Sequence, residues 1–298
     1  MGITAEGYIC TSARVIDSYS IWINQYHLYY TGRCSYYQNG KEETIAGRLK
    51  SRMDKIIKIT MGLFVIILIG FVAMIGYGNY VETSYRNSLM SSYTYTFSIT
   101  TDSPLTNLTF FIPVPVDRTG NSPMVTQYSA QDMQGVPSDW RTALFDTGKA
   151  TLLKITAPSI KPSEGTSPSH PYTITLSSQT DSKKPVDSQK PSEKSVMFRP
   201  VQDLSGAVCP PDNTIQGVTP QCFTFLTSIY ADYRAAPSAT VSFRSTLVGR
   251  NNWTIFEPQS NEYRSGFSGT IHGENHGWVT VNGTLTSGIG IFDVPVRV

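Results

Sequence analysis

Residues 59–77 read ITMGLFVIILIGFVAMIGY, and the rest of the chain is organised around them. They lie in an uncharged run of 23 residues between Lys58 and Glu82. At ~1.5 Å of rise per residue that run makes a helix of roughly 35 Å, enough to cross a hydrocarbon core of ~30 Å with some tilt. Arg48, Lys50, Arg52, Lys55 and Lys58 crowd its N-terminal flank against a single acid, Asp54. The positive-inside rule therefore predicts a single-pass anchor in the lipid bilayer, with residues 1–58 cytoplasmic and 78–298 outside. The same basic flank suits contact with anionic lipid. A cleaved signal peptide is the alternative, since Gly76-Tyr77-Gly78 loosely resembles a small-x-small cleavage site. The segment is longer than the usual h-region of ~7–15 residues, which favours an uncleaved signal anchor.

Outward from the anchor, the first question is compartment and partner. Beyond residue 77 there are 16 Lys and Arg against 17 Asp and Glu, so the small net charge of +2 comes from the membrane-proximal cluster. A nearly neutral outer part argues against nucleic acid as a partner. Cys10 and Cys34 precede the span and Cys209 and Cys222 follow it, so only the second pair is expected to meet oxidising conditions and to be bridged. Cys209 and Cys222 enclose the turn-rich PPDNTIQGVTPQ, and closing so short a loop stabilises by roughly 3 kcal/mol in the chain-entropy description.

From Tyr93 the apolar period becomes two. Tyr93, Tyr95, Phe97 and Ile99 alternate with Thr94, Thr96, Ser98 and Thr100, which predicts a half-buried strand. Leu108–Val116 alternates likewise, with Pro113 and Pro115 opposite the apolar residues, so this strand is expected to end at a sheet edge. Further runs at 153–157, 172–176, 196–198, 241–247, 253–256, 263–271, 279–285 and 292–298 bring the expected strands to about ten. The segment 223–233 fits a helix face or a strand face, and its aromatic and β-branched content favours strand. Together these predict an all-β ectodomain over 91–298, an immunoglobulin-like β-sandwich, behind a polar stalk at 78–90. DSKKPVDSQKPSEKS at 181–195 holds one apolar residue, Val186, and reads as a flexible loop, or as a linker between two smaller domains. One domain is preferred because the first half supplies few strands for two packed sheets.

Residues 1–52 carry neither period, although Ser18–Tyr30 has the composition of one short element. Met53 begins MDKIIK, a short basic flank (53–58) directly before the apolar run, as signal anchors are built. The expectation is that translation starts at Met53 and that residues 1–52 are an unstructured or mis-assigned extension, the alternative being a poorly ordered cytoplasmic tail.

Few residues carry chemistry. His272, Glu274 and His276 form the most metal-like stretch, but Gly273 and Asn275 between them are turn residues, so a hairpin loop is the simpler reading. No H-E-x-x-H, G-x-S-x-G or P-loop spacing occurs, and no cofactor is expected. Asn107-Leu-Thr, Asn252-Trp-Thr and Asn282-Gly-Thr are glycosylation sequons on the outer side. Trp140, Trp253 and Trp278, with the many tyrosines, would make an aromatic platform for sugars or a protein partner, or else core. The reading is an envelope protein in a structural or binding role, touching other envelope proteins or glycans. The rival is an extracytoplasmic metal-dependent hydrolase using the His272–His276 loop.

In layout, and in the runs YTYTFSITTDSPLTNLTFFIPVPV, IYADY, GRNNWTIF and GWVTVNGTL, residues 53–298 resemble uncharacterised membrane-anchored surface proteins of methanogenic and halophilic archaea. The resemblance implies an archaeal cell envelope and brings no activity, ligand or site residue with it.

Overall fold

A computed structural model of the 298-residue chain describes residues 35–38, 41–129, 132–147, 150–162, 166–167, 169–199, 201–210 and 219–292. Cys10, Cys34, the run 18–30 and most of the expected last strand, 293–298, lie outside them. The chain divides into two compact units, 1–77 and 78–298.

In the first unit a short antiparallel hairpin, β1 (Ser35–Gln38) and β2 (Lys41–Thr44), leads into α1 (Ile45–Ser88). That hairpin lies where the sequence shows no period. With no proline and no charge from 59 to 81, nothing interrupts the helix, and its stretch from Met53 is long and apolar enough to cross a membrane. The apolar side chains from 59 to 77 are exposed, Ile59 at 70% and Met74 at 75% among them.

The second unit begins inside α1. Val81, Tyr85 and Leu89 recur at four-residue spacing and so share one face, which packs against Trp253 and Ile255. Tyr85 meets the Trp253 ring edge-on at 5.7 Å, and the Ser88 hydroxyl donates to Thr254 O and accepts from Thr254 N. The expected free stalk is thus docked along one face, because the apolar residues scattered in its polar sequence fall on a single helical stripe.

The β part comprises β3 (Met90–Thr101), β4 (Leu105–Pro113), β5 (Pro115–Val116), the short helix α2 (Val125–Ser129), β6 (Arg141–Asp146), β7 (Thr151–Ile160) and β8 (Tyr172–Ser182). There follow a helical turn α3 (Pro191–Lys194), β9 (Met197–Phe198), β10 (Gln202–Ala207), β11 (Gln221–Arg234), β12 (Thr240–Thr254), β13 (Pro258–His272) and β14 (Asn275–Gly290). The ambiguous segment 223–233 is strand, inside β11. Among the described residues ten strands form one antiparallel sheet in the order β6-β7-β4-β11-β14-β13-β12-β3-β8. β10 pairs with β11 beyond the end of β4, and β5 and β9 form a separate ribbon.

That sheet curls on itself. β4 and β3 stand five places apart, roughly 24 Å in a flat sheet at ~4.8 Å per step. Yet the Phe97 and Phe110 rings lie 6.4 Å apart in the core. Strands expected as two packed sheets are therefore two arms of one continuous sheet, a difference invisible in alternation, which fixes the buried face and leaves the partner open. Among the described residues β6 and β8 end the sheet, and residues 125–129 and 132–142 bridge them. Gln134 pairs with Ser177 of β8, the Gln127 amide donates to Gln179 O at 2.7 Å, and the Thr142 hydroxyl donates to Tyr128 O. Gly135 at φ +80 allows this crossing, since a Cβ there would stand 2.2 Å from Thr175 O.

Curvature has a local cause. Phe225 faces Gly283, Phe243 faces Gly269 and Tyr263 faces Gly249 across the ladder, and each ring occupies the space that the glycine's Cβ would fill. Buried rings lying flat over a bare backbone let the strands bend inward.

Two expectations need correction. β4 is flanked on both sides, by β7 and β11, rather than ending at a sheet edge. Pro113 is tolerated because pairing with β11 covers only Thr106–Phe111, so no donor is missed on that side. The loop 181–195 is pinned at its centre and is not a linker. The Asn251 side chain accepts from Val186 N at 2.8 Å and donates to Val186 O at 2.7 Å, copying a strand pair, while Ser188 donates to Asn261 Oδ1. Val186, the loop's one apolar residue, is buried.

Candidate binding surface

Along each strand of the curled sheet one face fills the core, and the other carries whatever the outer surface needs. On the arm formed by β8, β3, β12 and β13 the outer face is mostly hydroxyls, with Arg244 and Val248 set among them. Thr100 and Thr173 lie 2.9 Å apart, Ser242 and Thr270 3.0 Å, with Thr94, Thr96 and Thr246 continuing the pattern.

The opposite arm, β6-β7-β4-β11-β14, is different. Register places Ala143, Lys154, Phe111, Tyr230 and Trp278 opposite one another in a row that crosses five strands, with Phe145 diagonal to Phe111. The rings meet edge to face, Phe145–Phe111 at 5.2 Å, Phe111–Tyr230 at 5.5 Å and Tyr230–Trp278 at 5.6 Å, and the Lys154 ammonium lies 5.6 Å from the Phe111 centroid. Phe145 is 48% and Trp278 60% exposed, at the two ends of the strip.

Directly alongside runs a polar row, Arg141, Thr156, Thr109, Asp232 and His276, in register across the same five strands. His276 Nδ1 lies 2.7 Å from Asp232 Oδ1, and the Tyr230 hydroxyl donates to Asp232 Oδ2 at 3.4 Å, tying the two rows together. At its Arg141 end this row opens into a cleft of about 230 Å³ that also receives Asn107 and Asp139. Asn107 has φ +56 where β4 shifts register by one residue against β11, a bulge that asparagine tolerates in the left-handed region.

The expected site residues divide accordingly. His272, Glu274 and His276 lie at the β13–β14 hairpin, with Gly273 at φ +74 in its turn. His276 turns to Asp232 and stands 3.8 Å from Glu274. Among the described residues no three His, Cys, Asp or Glu side chains gather closely enough to hold a metal ion. Cys209 and Cys222 are joined, Cα to Cα 5.2 Å, closing the β10–β11 connection. The sequon residues Asn107, Asn252 and Asn282 are all exposed. Of the three tryptophans expected as a platform, Trp140 and Trp253 are buried at 2% and only Trp278 faces out. Its companions are Tyr230, Phe111 and Phe145, which sequence reading did not single out. The available signal was an aromatic at an outward position in strands whose other outward residues are mostly Thr and Ser. Compared with known protein families, curated proteins and solved structures, the chain matches none of them.

Proposed function

We propose that this protein is a single-pass envelope protein whose residues 78–298 stand outside the membrane and bind a partner through the aromatic and polar rows of β6-β7-β4-β11-β14. The observation that carries the anchoring is the helix from Met53, uncharged from 59 to 81, with every apolar side chain from 59 to 77 exposed. In water such a surface would be a large unpartnered apolar patch, whereas in a bilayer it is matched by lipid. The basic flank supports an inward N-terminus, and the Cys209–Cys222 bond supports an oxidising outer compartment. The resemblance to archaeal surface proteins belongs to the same proposal. A binding role, rather than a purely structural one, is supported by two large rings left in water beside a register-aligned row of charged and hydroxyl groups.

Protease added to intact cells tests the topology. The expected outcome is digestion of 78–298 with an epitope placed before Met53 spared. A protected β domain would overturn the proposal.

A further inference from the structure

We infer that the outer strip is a binding site for a neutral saccharide chain, an inference that rests on the binding role proposed above and names the occupant. The argument begins with width. On β11 and β14 the apolar band is one residue wide, with Asp232 and His276 on one side and Ser228 and its partner Thr280 on the other; at β4, β7 and β6 a second apolar row, Pro113, Leu152 and Phe145, adjoins it, and of these Phe145 alone is exposed. A protein partner needs a contiguous apolar centre with a polar rim, on the order of 800 Å² per side, and a single row of rings does not provide one. A narrow band of rings between hydrogen-bonding rows instead matches a chain that is itself amphipathic, with C–H faces to lie on rings and hydroxyl edges to reach polar side chains.

Charge narrows the class further. Lys154 and Arg141 stand beside Asp139, Asp232 and Glu274, so the strip and its cleft carry no net positive charge and neither a polyanion nor an anionic lipid surface gains from docking there. The groups in the polar row are those that bind hydroxyl pairs: a carboxylate that accepts, a guanidinium that donates, and an imidazole and threonine hydroxyls that can do either. The strip crosses five strands and ends in the Asn107–Arg141 cleft, so it has the extended form of a site for several sugar units in a line. The hydroxyl-rich arm β8-β3-β12-β13 has the same strand chemistry without the rings, which makes the aromatic strip a local feature rather than a property of the sheet.

The test uses the full chain, made in a host without N-glycosylation and held in a polyoxyethylene detergent that carries no sugar. It is titrated with cellohexaose, chitohexaose, mannohexaose and xylohexaose, and with polygalacturonate as the acidic counterpart. The readout is acrylamide quenching of tryptophan fluorescence in a Trp22→Phe background, because of the three remaining tryptophans Trp278 is exposed while Trp140 and Trp253 are buried. At least one neutral chain is expected to protect Trp278 at millimolar concentration or below. Trp278→Ala should weaken that binding at least tenfold, Trp278→Tyr should restore most of it, and Thr246→Ala on the other arm should leave it unchanged. Trp278 is exposed enough that its replacement leaves the core intact, and an unchanged melting curve checks this. Protection by polygalacturonate alone, or by none of the chains, overturns the inference. A photo-crosslinker at position 278, used in native cells, separates this failure from failure of the binding role. Capture of an envelope protein without any saccharide binding would leave the binding role standing and sink the saccharide, while neither result would remove both. Protection found only in glycosylated protein, and lost in Asn107→Gln or Asn282→Gln, would make the occupant the protein's own glycan and overturn an external ligand.

Discussion

Gly283 shows how much of this fold depends on atoms that are missing. Its built Cβ would stand 2.3 Å from the Phe225 ring, and that ring is held at 2% exposure by the core around it. Gly283→Val should therefore destabilise the β domain by ~2–3 kcal/mol through overpacking, measured by urea denaturation. The double variant with Phe225→Leu should recover part of the loss; strict additivity of the two would contradict the cross-strand fit. Asn251 is the polar counterpart. Its amide accepts from Ser91 Oγ and Val186 N and donates to Val186 O and Asn261 Oδ1. Asn251→Ala leaves several buried groups without partners at once and should cost ~2–4 kcal/mol. Hydrogen exchange at the Val186 amide should rise with it, and an amide as protected as in the wild type would show that the loop is held by something else. Neither residue declares itself in the sequence, where one is a glycine between threonines and asparagines and the other an asparagine in a turn-like GRNN.

At the scale of the element, α1 and the β10–β11 connection carry opposite lessons. The apolar run made a helix legible from charge and length alone, yet the docking of its last turns was not, because Val81, Tyr85 and Leu89 need Trp253 and Ile255 before they read as a face. Val81→Asp puts a carboxylate at a position 1% exposed and should cost ~3 kcal/mol or more, releasing the helix end to protease near Tyr80–Arg86 while the strands persist. A cleavage pattern unchanged by the substitution would mean that the contact contributes little. The disulfide was readable because Cys209 and Cys222 sit across a turn-rich loop of fixed length, and its removal as a Cys209→Ser, Cys222→Ser pair should lower stability by roughly 3 kcal/mol. β11 was readable only as an ambiguity. Its strand character is enforced by β14 along thirteen paired positions and by β4 and β10 on the other side, a tertiary pairing that overrides local preference.

For the whole molecule the core itself sets a pH limit. Tyr95, Tyr128, Tyr233 and Tyr263 are buried, and desolvation raises the pKa of each phenol, that of Tyr233 to about 12. A raised folded-state pKa means that the unfolded chain releases these protons first. Their contribution to stability is thus complete below pH ~10 and is lost as pH rises from there through the folded values. The urea midpoint should fall steeply between pH 10 and 12, and a set of tyrosines should ionise, by absorbance at 295 nm, only together with unfolding. Smooth titration of all tyrosines in a folded protein would contradict the burial.

What the sequence determined by itself is local: one apolar helix, fixed by an uncharged run longer than a bilayer is thick; a β domain, fixed by period-two alternation; and a disulfide, between two cysteines that flank a short turn-rich loop. What only the tertiary structure decided is which strand lies beside which. Alternation states which side of a strand is buried but leaves its partner open, so one curled sheet and two packed sheets look alike along the chain. The candidate surface belongs to that second kind of information. Phe111, Tyr230 and Trp278 are separated by more than a hundred and by nearly fifty residues in sequence, and become one strip only when β4, β11 and β14 pair in this register.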